Sequence, residues 1–183
     1  MIGYAPLEDV DQGKLLQLVG KNKKVTDRSI SIDRHDRVLV AGAGLGLEAV
    51  ILGEEFNAKT VGVDLNINLQ NLPSSCQEIT VQRQNLMALA FCENAFSLVY
   101  CYHVLEQVPD HRAVFGELHW VLSPGGVLFI GFPSKHRFIS YLGTAQKVSL
   151  LDKIKWNLND IDARLRGKFE NRFGTHAGFT QRE

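Results

Sequence analysis

The stretch Val38–Gly46, VLVAGAGLG, constrains what this chain can fold into more than any other. Val38, Leu39 and Val40 are β-type residues that feed directly into Gly42, Gly44 and Gly46 at every second position. A helical pattern of Leu47, Val50 and Ile51 comes next. Strand, glycine turn and helix, in that order, bring backbone N–H groups and a helix N-terminus against a ligand in α/β folds. Glycine serves there because no Cβ blocks the approach and positive φ costs little. The spacing narrows the ligand further, since a dinucleotide fingerprint needs glycines at relative positions 1, 3 and 6. Here position 6 is Leu47 and the third glycine comes one residue early, at Gly46. That disfavours a dinucleotide-dependent oxidoreductase and points to a different adenosyl ligand.

The rest of the chain extends the α/β pattern. Residues 1–13 read as an arm, a short helix continues through Leu15, Leu16, Leu18 and Val19, and the polar run 21–36 reads as a surface connection. Strands are expected at 38–41, 60–64, 78–83, 96–100 and 127–132, with helices at about 45–56, 68–72 and after Pro109-Asp110. Asn57 is an end signal for the second helix and Asp110 an N-cap for the last. Val114, Leu118, Val121 and Leu122 give that last helix its apolar stripe. Strands alternating with helices imply a doubly wound, mostly parallel sheet covered on both faces. Beyond Pro133 the character changes to helical, with Ile154, Leu158, Ile161 and Leu165 at helical spacing and Leu150 and Leu151 extending the stripe. The 183 residues fit one domain, with an N-terminal arm and helix over 1–35, a core over 36–133 and a helical cap or tail over 134–183.

Charge and cysteine usage set the surroundings. Formal net charge is zero, but residues 1–132 carry 10 Lys/Arg against 15 Asp/Glu, and residues 133–183 carry 10 against 5. A basic tail can attract an anionic partner, although such a tail is more often simply a solvated helix face, and no nucleic-acid partner is expected. Cys76, Cys92 and Cys101 are odd in number, lack Cys-x-x-Cys spacing and come after no signal peptide, which suggests free thiols in a reducing cytoplasm. No apolar run approaches the roughly 20 residues of a membrane span. The histidines show no metal-ligand spacing, so no metal site is expected.

Four motifs in order now resemble a class I S-adenosylmethionine (SAM) dependent methyltransferase, of the small type grouped with the ubiquinone and menaquinone biosynthesis methyltransferases. They are VLVAGAGLG, then VGVDL with Asp64 at a strand end 18 residues beyond Gly46, then NLMALAFCENAFSLV from Asn85, then HVLEQVPD with ELHWVLSPGGVLFIGFP. The resemblance implies a Rossmann-like fold, SAM as cofactor and methyl transfer to a small-molecule acceptor by in-line displacement. It also implies a cofactor site made of Gly42, Ala43, Gly44, Gly46, Asp64, Leu65, Asn85, Leu86, Tyr102 and His103. The glycine turn would admit the methionyl part, Asp64 would accept the ribose hydroxyls, and Leu65 and Leu86 would sandwich the adenine. Asn85 stands where the family has Asp and can still accept the adenine amino group without bringing charge. His103 is the one candidate for taking a proton from an acceptor. The transfer itself needs mainly alignment and desolvation, and a packing histidine is the alternative.

Departures from the family pattern are Val40, Ala43, Ala90, Ser97 and Gln107, none of which removes a group the cofactor needs. The family sheet has seven strands, whereas this sequence ends after FGTHAGFTQRE, a segment similar to the one that precedes the last helix and hairpin. Either the sequence is a piece of a longer protein or the protein dispenses with strands six and seven, and in the second case strand five would be an open edge, a hazard for association. Either a homodimer through that edge or the stripe Ile154, Leu158, Ile161 and Leu165 folded across it is expected. The rival functional reading is a SAM-binding or interaction module without methyl transfer.

Overall fold

In the computed structural model, which describes residues 10–66, 79–136, 147, 149–169 and 178–179, an N-terminal helix α1 (Gln12–Thr26) leads into β1 (Arg37–Ala41). Next come α2 (Leu47–Phe56), β2 (Lys59–Asp64), β3 (Ile79–Arg83) and β4 (Phe96–Tyr102). A short 3₁₀ turn at Leu105–Gln107, α3 (His111–Val121), β5 (Leu122–Gly131) and α4 (Leu150–Leu165) complete the described elements. The five strands form one sheet in the order β3-β2-β1-β4-β5, and every pairing is parallel. The doubly wound α/β expectation is met. Sheet order reverses between β1 and β4, so the crevice at their carboxyl ends is the place where such sheets bind ligands.

Side-chain alternation along the strands sends two apolar sets to opposite faces. Val38, Val40, Leu98 and Tyr100 pack with Leu15 and Val19 of α1 and with Ala49, Leu52 and Phe56 of α2. Leu39, Ala41, Val99 and Cys101 pack with Val114, Leu118 and Val121 of α3 and with Leu86, Leu89 and Leu105. Each fully buried Leu or Phe among them contributes about 1.5–3 kcal/mol relative to exposure. Gly62, in the middle of β2, makes close packing possible on the first face. A Cβ there would stand 2.8 Å from the Ala43 Cβ and 3.2 Å from the Ala49 Cβ.

Local signals behave as expected at the helix ends. Asp110 accepts a bond from the Ala113 N–H at 3.0 Å, and Asn57 closes α2 in the left-handed region with φ 50°. Two boundaries differ. α1 extends through Thr26 into the run expected as a connection, because Asp11 caps it on Lys14 N and Leu15, Val19 and Thr26 give it a buried line. β5 starts at Leu122, with Ser123-Pro-Gly-Gly126 drawn into the ladder across a register shift between Phe96 and Leu98. The helix expected at 68–72 and Cys76 lie outside the described residues, while Cys92 and Cys101 are free thiols.

The tail corrects another expectation. α4 forms over the predicted stripe with Ser149 as its cap, but Ile154 is 49% and Leu158 59% exposed, and the helix buries no residue. Its stripe therefore does not cover β5, which pairs only with β4 among the described residues. α4 is tied back by a polar group instead, the Arg164 guanidinium donating to the Lys135 carbonyl at 2.6 Å. Among the described residues no helix is long and apolar enough to cross a membrane, and no group of three or more His, Cys, Asp or Glu could hold a metal ion.

Candidate functional site

At the carboxyl end of β1, Gly42, Gly44 and Gly46 all adopt positive φ, at 77°, 54° and 82°. A side chain at Gly42 would run into Val104, so glycine is required there by contact as well as by conformation. The loop is latched to the neighbouring strand. The Gly42 and Ala43 N–H groups both donate to the Val63 carbonyl, at 2.8 and 2.9 Å, and the Gly44 N–H donates to Asp64 Oδ2 at 3.0 Å. Gly46 is the N-cap of α2, and no side chain caps the first amides of that helix. A glycine cradle ahead of an uncapped helix N-terminus is an arrangement that accepts a polar ligand group against backbone.

Asp64 ends β2 beside this loop and is largely buried. Its Oδ1 accepts the Asn66 N–H at 2.9 Å, so its two oxygens hold one amide of the glycine loop and one of the turn after β2. A carboxylate offers about four acceptor sites, more than these two amides use. Leu65 is next in the chain with 52% of its surface exposed, at the mouth of the crevice. Leu86, expected beside the adenine, is buried instead in the core around Leu39, Val63 and Phe96. Asn85 uses its Oδ1 to accept the Met87 N–H at 3.0 Å, closing its own turn.

Across the crevice, Tyr102 ends β4 half-buried, and its ring lies where a side chain on Gly131 would be. It stacks on Tyr100 at 6.1 Å, which in turn stacks on Phe129 at 5.0 Å. Burial raises the Tyr102 hydroxyl above its ordinary range, with Glu48 and Glu106 adding to the shift. His103 comes next, in the left-handed region with φ 57°, a conformation that costs a non-glycine residue about 1–2 kcal/mol. Its N–H donates to the Gly131 carbonyl at 2.7 Å, and Gln107 donates to its carbonyl at 3.2 Å. The ring, 43% exposed, meets the fully buried Glu106 through Nδ1 at 3.3 Å. A buried carboxylate behind an exposed imidazole fixes the ring's orientation.

The structure thus gathers Gly42, Ala43, Gly44, Gly46, Asp64 and Leu65 on one side of the crevice and Tyr102 and His103 on the other, with Leu86 withdrawn into the core. Sequence reasoning passes over two acids here. Glu106 reads as an acid contacting backbone in its own helix and is found buried against the His103 ring. Glu48 reads only as a break in an apolar run. The signal for it is its isolation, as the one charge between Arg37 and Glu54, two residues past the last glycine.

The family model Methyltransf_11, a methyltransferase domain, matches residues 39–130, half of the chain. The chain belongs to the class I SAM-dependent methyltransferases. Among curated relatives it is 33% identical over 102 residues to trans-aconitate 2-methyltransferase of Variovorax paradoxus, covering 53% of this chain and 38% of that one. It is 26% identical over 107 residues to phosphoethanolamine N-methyltransferase of Plasmodium falciparum, covering 55% and 40%. The chain therefore spans about two fifths of the length of these relatives. Phosphoethanolamine N-methyltransferase 2 of Haemonchus contortus, solved with SAM, superimposes with a TM-score of 0.57 over 87% of this chain and 45% of that one, at 18% identity. That similarity supports the Rossmann-like fold. SAM is the cofactor of this methyltransferase family, and the glycine cradle, the uncapped helix start and the strand-end carboxylate fit it.

Proposed function

We propose that this methyltransferase domain transfers a methyl group to a small-molecule acceptor by in-line displacement, with residues 36–133 as its cofactor-binding core. The observation that carries the reading is the latch of Gly44 N–H on Asp64 Oδ2, which sets the glycine turn and the acidic strand end on one wall of the crevice. SAM supplies an electrophilic methyl on a sulfonium. In this reading Gly42, Ala43, Gly44 and Gly46 admit its methionyl half, and Asp64 accepts its ribose hydroxyls while holding the loop. Leu65 flanks the adenine, with Asn85 and the backbone at Leu86 on its far side. Tyr102 and the aromatic pair behind it exclude water from the transfer line.

His103 is the group in this chain suited to take a proton from an acceptor, since it is exposed, oriented by Glu106 and placed at the end of β4. The acceptors in these relatives' names, trans-aconitate and phosphoethanolamine, are small molecules, which supports that substrate class. The free thiols Cys92 and Cys101 support a reducing cytoplasmic setting. The test is turnover: SAM and a panel of small acids, amines and phenols, with S-adenosylhomocysteine release as readout. Methyl transfer to at least one acceptor, lost in His103→Ala when that acceptor must shed a proton, is the expected result. Tight SAM binding without transfer to any acceptor, in the domain and in the longest native chain, would leave the cofactor site standing and overturn the transferase reading.

A further inference from the structure

Glu48 sits in the first turn of α2, two residues past the glycine cradle, on the sheet face that carries Tyr100 and Tyr102. It acts electrostatically on Tyr100 and Tyr102, whose side chains belong to the same packed face as its neighbours Leu47 and Ala49. Among the described residues no hydrogen bond or ion pair reaches it. Removing a carboxylate from water without a partner is costly. Burial alone raises this acid from 4.5 to about 7, even though the residue keeps part of its surface accessible and the helix N-terminus favours a negative charge.

The groups facing it do not neutralise it. β4 presents Tyr100 and Tyr102 while its Cys101 points to the opposite face, Glu106 of the 3₁₀ turn also acts on Tyr102, and β5 has no titratable side chain. From β2, Asp64 is bonded to the loop. Lys23 of α1 pairs with Asp27 at 2.7 Å and lies over Phe56, two turns farther along α2. Aromatic rings and one unpaired carboxyl around an accessible crevice form a receptor for a cation.

We propose that Glu48 is the counter-ion for the cationic methionyl half of SAM, so that cofactor binding and Glu48 ionisation are coupled. The proposal rests on the assignment of SAM as cofactor. In the free protein the acid is protonated below neutrality. The bound cation favours the carboxylate, so binding expels the proton. The coupling strengthens binding as pH rises through the acidic range and levels off above the free-state value. Glu48 thereby acts as a positioning residue for the cofactor.

The experiment is isothermal titration of SAM and of S-adenosylhomocysteine into the protein between pH 5.5 and 7, in buffers of different ionisation enthalpy, for wild type and Glu48→Gln. This window lies below the titration of the ligand's own amino group, near 8. Wild type should release close to one proton per SAM at the acid end, and its affinity should rise on the order of tenfold across the window. Glu48→Gln should bind with no such rise and no proton release. A dependence that persists with S-adenosylhomocysteine assigns the ligand ammonium as the partner, and one seen only with SAM assigns the sulfonium. Binding by wild type without proton release, or release unchanged in Glu48→Gln, would overturn the proposal. No SAM binding at any pH would overturn the cofactor assignment itself, and the proposal with it.

Discussion

Val114, Leu118 and Val121 on α3 repeat the spacing of Ile154, Leu158 and Ile161 on α4, yet the first set is buried and the second stands in solvent. The difference lies in connectivity. α3 joins two neighbouring parallel strands, β4 and β5, and a parallel crossover must lie back on the sheet. Its stripe therefore meets Leu39, Val99 and Cys101. α4 comes after the last described strand, and its Arg164 guanidinium bonds the Lys135 carbonyl. A 3.6-residue apolar period says which face of a helix seeks cover. It does not say that cover exists.

The same division, with Gly131 as its boundary, orders the expected effects of substitution. The largest should come from Gly44→Val in the cradle, which should abolish SAM binding while circular dichroism stays near that of wild type. A β-branched residue resists φ 54° and fills the ligand's approach. Retained binding in calorimetry would show that the cradle does not face the cofactor. Next, Leu118→Ala should cost about 2–5 kcal/mol in urea unfolding, because the site is sealed and leaves a cavity. A cost below about 1 kcal/mol would mean that α3 is no better packed than α4 and would erase the contrast.

Asp64→Ala should weaken SAM binding by about 1.5–3 kcal/mol, through lost charge-assisted bonds and a loosened Gly44. Unchanged affinity in a folded variant would sink the ribose assignment. The smallest effect belongs to the tail. Leu158→Ala should shift stability by no more than about 0.5 kcal/mol and leave SAM affinity alone, as surface substitutions do. A melting-point drop comparable to that of Leu118→Ala would reveal a covering partner for α4 in solution.

Much of the fold is legible in the sequence because burial on both faces of a parallel sheet writes itself as uninterrupted apolar runs, as at Val38–Ala41 and Leu98–Cys101. The cradle is legible because positive φ demands glycine. Less can be read where polar residues have structural roles. The polar run after Val19 hides seven more residues of α1, since Lys and Asn are compatible with a helix whose buried line is only Leu15, Val19 and Thr26. The motifs assign Asn85 and Asp64 to a ligand alone, but short polar side chains also bond nearby backbone, and both do so here. Leu86 belongs beside the adenine by its position in a motif. Which way a leucine points after a turn depends on packing that no local pattern encodes.

Gly62 touches no ligand group, yet it decides how closely the start of α2 can sit on the sheet, because Ala43 and Ala49 rest where its side chain would be. It works as a shim. Thickening it by one methyl in Gly62→Ala would lift the loop and the first turn of α2 together, and with them the cradle amides and Glu48. The depth at which the cofactor seats is thus set from the next strand over. Affinity in this molecule is open to tuning from a residue buried beneath the site, with every contacting side chain left as it is.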